Sequence, residues 1–187
     1  MDYAEKFKSM EYGTLRGGVP FCVCFLDWEV VEIDSVKEVA ELRRGVYCFE
    51  GRHDAHRSPG PLYIGQGAKV AKRIVLGPKT SGALFYYTDE NGQIYPYSAA
   101  WDIVVRHARV SDESQNDCDL DTVEDLLIKS HKPPYNNQGV NGAINRGDSE
   151  KQAHLILFNG GAKGHLLPVV STLYFDGEKW PARQAPE

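Results

Sequence analysis

Apolar and polar positions alternate along FCVCFLDWEVVEI, from Phe21, in a stretch rich in β-branched and aromatic residues, so the period of two predicts a strand. DSVKEVAEL then changes period, and Ser35 and Glu38 stand three apart as a capping box that opens a short helix. GVYCFE, from Gly45, reads as a compact strand, HDAHRSPGP as a proline- and glycine-rich loop, and PLYIG as the strand that completes a hairpin. A short helix is predicted over 68–76. ALFYYTDENGQIYPY sets Asn91-Gly92 between two aromatic runs, the pattern of a two-residue hairpin turn. WDIVVRHARV, from Trp101, predicts another strand, and the polar, acidic residues 111–121 a loop. TVEDLLIKSH is a helix begun by Asp121 and ended by the prolines of KPPYNN. HLILF, LPVVSTLYF and an Asp176-Gly177 turn add strands in the last third.

The order β, β, α, β, α between Gly45 and Asn137 predicts a compact α+β unit. The expected organisation is one domain over 1–187, with a core at 45–137 and β-rich extensions at 1–44 and 138–187 packed on it. A chain of 187 residues, 42% hydrophobic and 25% charged, suits such a single interior. No apolar run approaches the roughly 18 residues a membrane helix needs, and MDYAEKFKSMEY lacks the apolar region of a secretory signal. The expected location is cytoplasmic, away from membranes. Cys22 and Cys24 form a C-x-C, and Cys48 and Cys118 stand alone; without paired C-x2-C spacings they read as buried free thiols rather than zinc ligands.

Charge changes the picture only when divided along the chain. The net charge is −5, yet residues 41–80 carry +5 and residues 111–127 carry −7. Attraction to a polyanion follows local potential rather than net charge, so a basic centre can mark a phosphate site, and equally it can be solvated surface. In the helix at 68–76, Lys69, Lys72 and Arg73 share one face, with Arg73 at its border beside Val70. A planar guanidinium on such a border suits a pair of phosphate oxygens. In the second helix Asp125 and Lys129 pair at i, i+4 on the wet side, while Glu124 falls on the apolar arc between Leu127 and Ile128. A carboxylate turned inward needs a counterpart. Two would serve: a cation such as Arg73, or a hard divalent metal that keeps most of its waters.

These residues raise a family resemblance. Gly45-Val46-Tyr47 and Tyr63-Ile64-Gly65 resemble the two tripeptides that name the GIY-YIG nucleases, and Arg73, ten residues after Tyr63, resembles their helical arginine. Glu124 through Lys129, running on to Pro133-Pro134-Tyr135-Asn136, is similar to the E-x-x-L-I-K-x-x-x-P-x-Y-N pattern of the excision-repair members. The resemblance covers residues 45–137, and the stand-alone size is similar to that of the restriction endonucleases of the superfamily. It implies a small antiparallel three-stranded sheet flanked by helices and cleavage of phosphodiester bonds with one divalent ion, Mg2+ or Mn2+. It further implies that Glu124 holds the metal, Arg73 binds the scissile phosphate, Tyr47 and Tyr63 line the site, and Asn136 braces it.

Phosphodiester hydrolysis needs an activated water, charge neutralisation at phosphorus and help for the leaving oxygen. A phenol ionises near pH 10, so Tyr47 serves as a base only where nearby cations such as Lys69, Lys72 and Arg73 lower that value. His53, His56 and Arg57 join Lys69 and Lys72 as nucleic-acid-binding candidates. Gly77 stands one turn after Arg73 where many members place Tyr or His, a place His53 or His56 is a candidate to fill. The insertion at 77–100 offers Tyr86, Tyr87, Tyr95 and Tyr97 either for core packing or for stacking on bases. The expected function is a metal-dependent endonuclease acting on nucleic acid, chiefly double-stranded DNA, and two cuts on opposite strands would favour a homodimer by symmetry. The alternative is a non-catalytic or RNA-directed binding module.

Overall fold

The computed structural model describes residues 13–15, 19–33, 44–53, 56–75, 81–97, 102–110, 120–136 and 154–172. In chain order the elements are β1 (Gly13–Leu15), β2 (Val19–Val31), β3 (Gly45–His53), β4 (His56–Gly67), α1 (Val70–Ile74), a 3-10 turn (Ser81–Leu84), β5 (Tyr86–Thr88), β6 (Ile94–Pro96), β7 (Val104–Val110), α2 (Leu120–His131), β8 (His154–Gly161) and β9 (Val169–Ser171). The sequence expectations for a helix after Ser35, for Trp101, for the acidic stretch up to Asp119, for Gly77 and for the Asp176-Gly177 turn lie outside the described residues.

Seven strands form one mixed, curled sheet in the order β4-β3-β7-β2-β8-β9, with β1 also paired to β2; β5 and β6 make a separate hairpin. This corrects the expectation of a small three-stranded antiparallel sheet flanked by helices. The antiparallel run β4-β3-β7 continues into β2, β2 pairs in parallel with β8, and among the described residues only two α-helices are present. The physical reason lies in β2 and β8. Cys24, Leu26 and Trp28 are buried on one face of β2 and Val23 and Phe25 on the other, while Leu155 through Phe158 are buried without interruption. Strands apolar on both faces belong inside a sheet, not in an outer layer packed on one. The side chains of Phe25 and Phe158 stack at 5.2 Å where β2 and β8 meet.

The rest of the core is split by the β3 and β4 end of the sheet. On one face Val46, Cys48, Ile64 and Ala108 pack under Leu120, Val123, Leu126, Leu127 and Ile128 of α2. On the other, Tyr47, Phe49, Leu62 and Val105 pack against Val70, Ala71 and Ile74 of α1 and against Phe85. Local corrections have local causes. The expected loop at HDAHRSPGP is strand on both sides, with register shifts at Phe49/Glu50 and Gly51/His53; Pro59 and Pro61 are tolerated because β4 is an edge. The Asn91-Gly92 hairpin is real but longer than two residues. Gly92 N–H donates to the Asp89 carbonyl at 3.1 Å with φ of 81°, and Asp89 N–H donates to the Gln93 carbonyl, a turn with a bulge.

The connection from β8 to β9 is fastened by two titratable groups. The buried Glu50 carboxylate accepts from Arg106 Nε at 3.0 Å, from the His165 backbone N–H at 3.1 Å, and contacts His165 Nδ1 at 2.6 Å. His131 Nε2 accepts from the Leu167 N–H at 2.8 Å, which leaves its Nδ1–H to donate to the Leu127 carbonyl. Burial raises the Glu50 pKa, but the Arg106 and His165 hydrogen bonds outweigh it and hold it below the ordinary value. Burial lowers the His131 pKa, and its bond to Leu127 only partly offsets this. Among the described residues no helix is long and apolar enough to cross a membrane.

Both groups have depressed folded-state values, so both stabilise the fold above their unfolded pKa and lose that contribution as pH falls through the folded one. In a Glu124→Gln background, which removes a carboxyl whose raised folded-state value acts in the opposite sense, denaturant unfolding is therefore expected to show stability falling below about pH 6.5, where His131 begins to protonate in the unfolded chain, and again below about pH 4.5 through Glu50. Equal stability at pH 7.5 and pH 4 would contradict this.

Candidate functional site

The site forms where β4 ends and the two faces of the sheet come within reach of each other. Tyr47 on β3 is the register partner of His107 on β7 and of Gly65 on β4, so these three residues share one face. A Cβ on Gly65 would stand 2.5 Å from Tyr47 Cζ, which is why the Tyr47 ring lies over that residue. Gly45 leaves the same kind of room for His107, whose Nε2 would stand 2.7 Å from a Cβ there. His107 is fully buried with Nδ1 at 3.1 Å from Glu29 Oε1. Tyr63 is half-buried and stacks on Tyr47 at 6.1 Å.

The Tyr47 hydroxyl shares a 2.8 Å hydrogen bond with Ser81 Oγ. Burial pushes its pKa up, well above that of an ordinary phenol, and the Ser81 hydrogen bond and the Arg73 charge lower it by less. This departs from the expectation of a phenol acidified by cations. Lys69, Lys72 and Arg73 are exposed, and desolvation of a ring that is 1% exposed wins over them. Tyr47 is therefore a neutral hydroxyl at physiological pH.

Glu124 comes from the other face. The first turns of α2 lie over β4, and Gln66 bridges the two: its side chain donates to Asp121 Oδ1 at 2.5 Å and its backbone N–H donates to the Glu124 carboxylate. Burial, then repulsion from Asp125 and Asp121, raises the Glu124 pKa to about 7, and the Gln66 bond and the Arg73 charge reduce the rise. Glu124 is half-buried, as its place on the helix wheel predicts. The stem of Arg73 lies over Gly67, and its charge acts on Tyr47 and Glu124 alike.

Asn136 holds α2 to this edge. Its Oδ1 accepts from the Ile64 N–H at 2.9 Å and its Nδ2 donates to the Ile64 carbonyl at 2.8 Å, while the Tyr135 N–H donates to the Leu62 carbonyl at 3.0 Å. The Pro133-Pro134-Tyr135-Asn136 segment so satisfies the outer edge of β4, and α2 cannot slide along it. Lys132, at φ of 49°, turns the chain out of the helix into that segment.

Of the residues singled out from sequence, Tyr47, Tyr63, Arg73, Glu124 and Asn136 gather around residues 64–67 of β4. Lys69 and Lys72 flank Arg73 on the solvent side. His53 lies six positions from Tyr47 along β3, about 20 Å of strand, where its ring meets Tyr135 edge-on at 5.5 Å. That is too far to stand in for a helix residue beside Arg73. The side chains of His56 and Arg57 lie outside the described residues. Two residues escaped the sequence reading. Gln66 directly follows Tyr63-Ile64-Gly65 in β4 and carried no charge to mark it, and Ser81 lies in the insertion, far from Tyr47 in sequence.

No family model, no curated protein and no solved structure matches the chain. The donor set must therefore be tested on its own chemistry. Among the described residues no three His, Cys, Asp or Glu side chains cluster as a metal cage. A single carboxylate does fit a hard divalent ion that keeps its waters and takes a phosphate oxygen. Glu124 is that carboxylate: desolvated, crowded by Asp121 and Asp125, and relieved by any cation placed against it.

In the free protein the Glu124 carboxyl is expected to titrate near pH 7 in carbon-detected NMR, and Asp121→Asn to lower that value by removing a repulsive charge. Asn136→Ala orphans two backbone groups of Ile64 and is expected to cost about 2 kcal/mol in denaturant unfolding; an unchanged midpoint would contradict the clamp.

Proposed function

We propose that the chain is a metal-dependent endonuclease that hydrolyses phosphodiester bonds in nucleic acid, with double-stranded DNA as the substrate class, and that it is a GIY-YIG-type nuclease. The observation that carries this reading is the Glu124 carboxyl held over the end of β4 within the field of Arg73, with the stacked Tyr47 and Tyr63 beside them. An inward carboxylate, an exposed guanidinium and a pair of phenols make little sense as packing and much sense around a phosphate.

The chain's own groups have distinct parts. Arg73 receives the scissile phosphate through a planar fork of donors and neutralises charge that grows in the transition state. Lys69 and Lys72 draw in the flanking backbone. Tyr47, neutral, buried and hydrogen-bonded to Ser81, acts beneath the site as a positioning residue for the Tyr63 ring rather than removing a proton. Tyr63 holds the Tyr47 ring in place. Glu124 is the carboxylate that holds Mg2+ or Mn2+, and the ion when bound supplies a more acidic water and neutralises charge at phosphorus. Asn136 acts through β4 and α2 as a positioning residue. The free thiols Cys24 and Cys48 are buried and suit the reducing cytoplasm. Paired cuts on opposite strands would require two copies related by a twofold axis.

Supercoiled plasmid incubated with the protein and Mg2+ is expected to be nicked or linearised. Glu124→Gln is expected to abolish cleavage, and Arg73→Ala to slow it by about a hundredfold or more, since a removed transition-state donor costs that much. Plasmid bound but left intact at every divalent ion would instead point to a nucleic-acid-binding module.

A further inference from the structure

Three tyrosines on the β5–β6 hairpin face solvent together. Tyr87 and Tyr95 are register partners with rings stacked at 5.4 Å and 25°, and the Tyr97 ring stands 5.5 Å from Tyr87. They are 45%, 40% and 57% exposed. Tyr86 is different: its hydroxyl donates to the Ile103 carbonyl and its ring packs on the core. One side of the hairpin anchors it, and the other side is left open.

The anchoring is thorough. Phe85 is fully buried, with its ring 4.8 Å from Phe49 and 5.3 Å from Tyr135, and its carbonyl accepts from the Tyr97 N–H at 2.9 Å. The same segment begins at Ser81, the hydrogen-bond partner of Tyr47. One run of chain, residues 81–97, therefore reaches the candidate site at its start and presents the aromatic cluster further on.

The occupant can be argued from size and charge. Three rings at those exposures, each presenting up to about 250 Å², leave about 350 Å² open. A stable dimer needs about 800 Å² from each partner, so a second copy of the chain does not fit this patch as its main contact. Residues 81–97 contain no lysine or arginine, and Asp89 and Glu90 stand at the hairpin tip. That charge repels a phosphate backbone and leaves the ring faces as the attractive feature. A flat, uncharged, aromatic group is what this surface takes, and nucleobases stack on such rings irrespective of sequence.

We propose that Tyr87, Tyr95 and Tyr97 form a stacking platform for an unpaired nucleobase of the nucleic acid cut at the candidate site, the base being either displaced from the duplex by the protein or already unpaired. This rests on the reading of the chain as a nuclease. It assigns the insertion a part in substrate selection, favouring duplexes that offer an unstacked base close to the cut.

The test uses the full chain, a chelator to prevent cleavage, and two 30-base-pair duplexes carrying 2-aminopurine, one fully paired and one with the probe as a single unpaired nucleotide. The unpaired probe is expected to bind more tightly, with its fluorescence quenched on binding. Tyr87→Ala/Tyr95→Ala/Tyr97→Ala is expected to remove the quenching and weaken that binding by about tenfold or more, with circular dichroism unchanged because the rings are exposed. Quenching with the fully paired duplex as well would identify displacement by the protein as the source of the base. Unchanged quenching and affinity in the triple variant overturn the platform but leave the nuclease reading standing. A concentration-dependent dimer that the triple variant abolishes would likewise overturn it and assign the patch to self-association. A wild-type chain that binds neither duplex overturns both readings.

Discussion

One carboxamide grips one peptide twice, and the candidate site depends on it. Asn136 both accepts from and donates to Ile64, which completes the open edge of β4 and fixes α2 against it. With α2 in that register Glu124 falls against the Gln66 N–H rather than in water, and its acidity changes accordingly. An edge strand is otherwise a place where pairing slips. Here it is closed by a side chain that matches a peptide group, and the two layers of the core, one under α2 and one under α1, meet at its end.

Burial decides the chemistry available at that end. It raises Glu124 toward neutrality and Tyr47 far from ionisation, in both cases as the largest influence. The exposed cations of α1 face solvent and act on these groups more weakly. The outcome is a division of labour. Glu124 is a carboxyl that gains most from a counter-ion, Arg73 is an exposed positive charge whose field reaches it, and Tyr47 is a hydroxyl locked in direction by Ser81. Under the proposed nuclease reading such a set would stabilise charge on a bound phosphate and lacks a strong base of its own, so the proton of an attacking water would pass to solvent or to a group on the substrate.

Much of this was legible in the sequence, for identifiable reasons. The inward place of Glu124 followed from helical periodicity, and the grouping of Arg73 with Lys69 and Lys72 from the same geometry. The strands β2, β3 and β7 followed from alternation and β-branched content. The breadth of the sheet was not legible. The pairing of Phe21 with His154 and of Trp28 with Gly161 joins segments far apart in the chain, and no local period encodes which distant strand lies alongside. Within β2 the run from Phe21 to Leu26 is apolar without a break, an available sign of a central strand that reading the whole segment as alternating passes over. HDAHRSPGP misled because proline and glycine were weighed as loop formers although an edge strand tolerates both. Ser81 stayed hidden because a hydroxyl in an insertion looks like any other until Tyr47 is seen beside it.

The central claim is that Glu124 is paired with a divalent ion and not with a protein cation when the chain works. Crystals grown with Mn2+ and an uncleavable phosphorothioate duplex, measured at the manganese edge, test it most directly. The account predicts an anomalous peak about 2.2 Å from a Glu124 oxygen, with water and a phosphate oxygen completing the shell. No peak at that carboxylate, with Arg73 or another side chain locked onto it instead, would contradict the account.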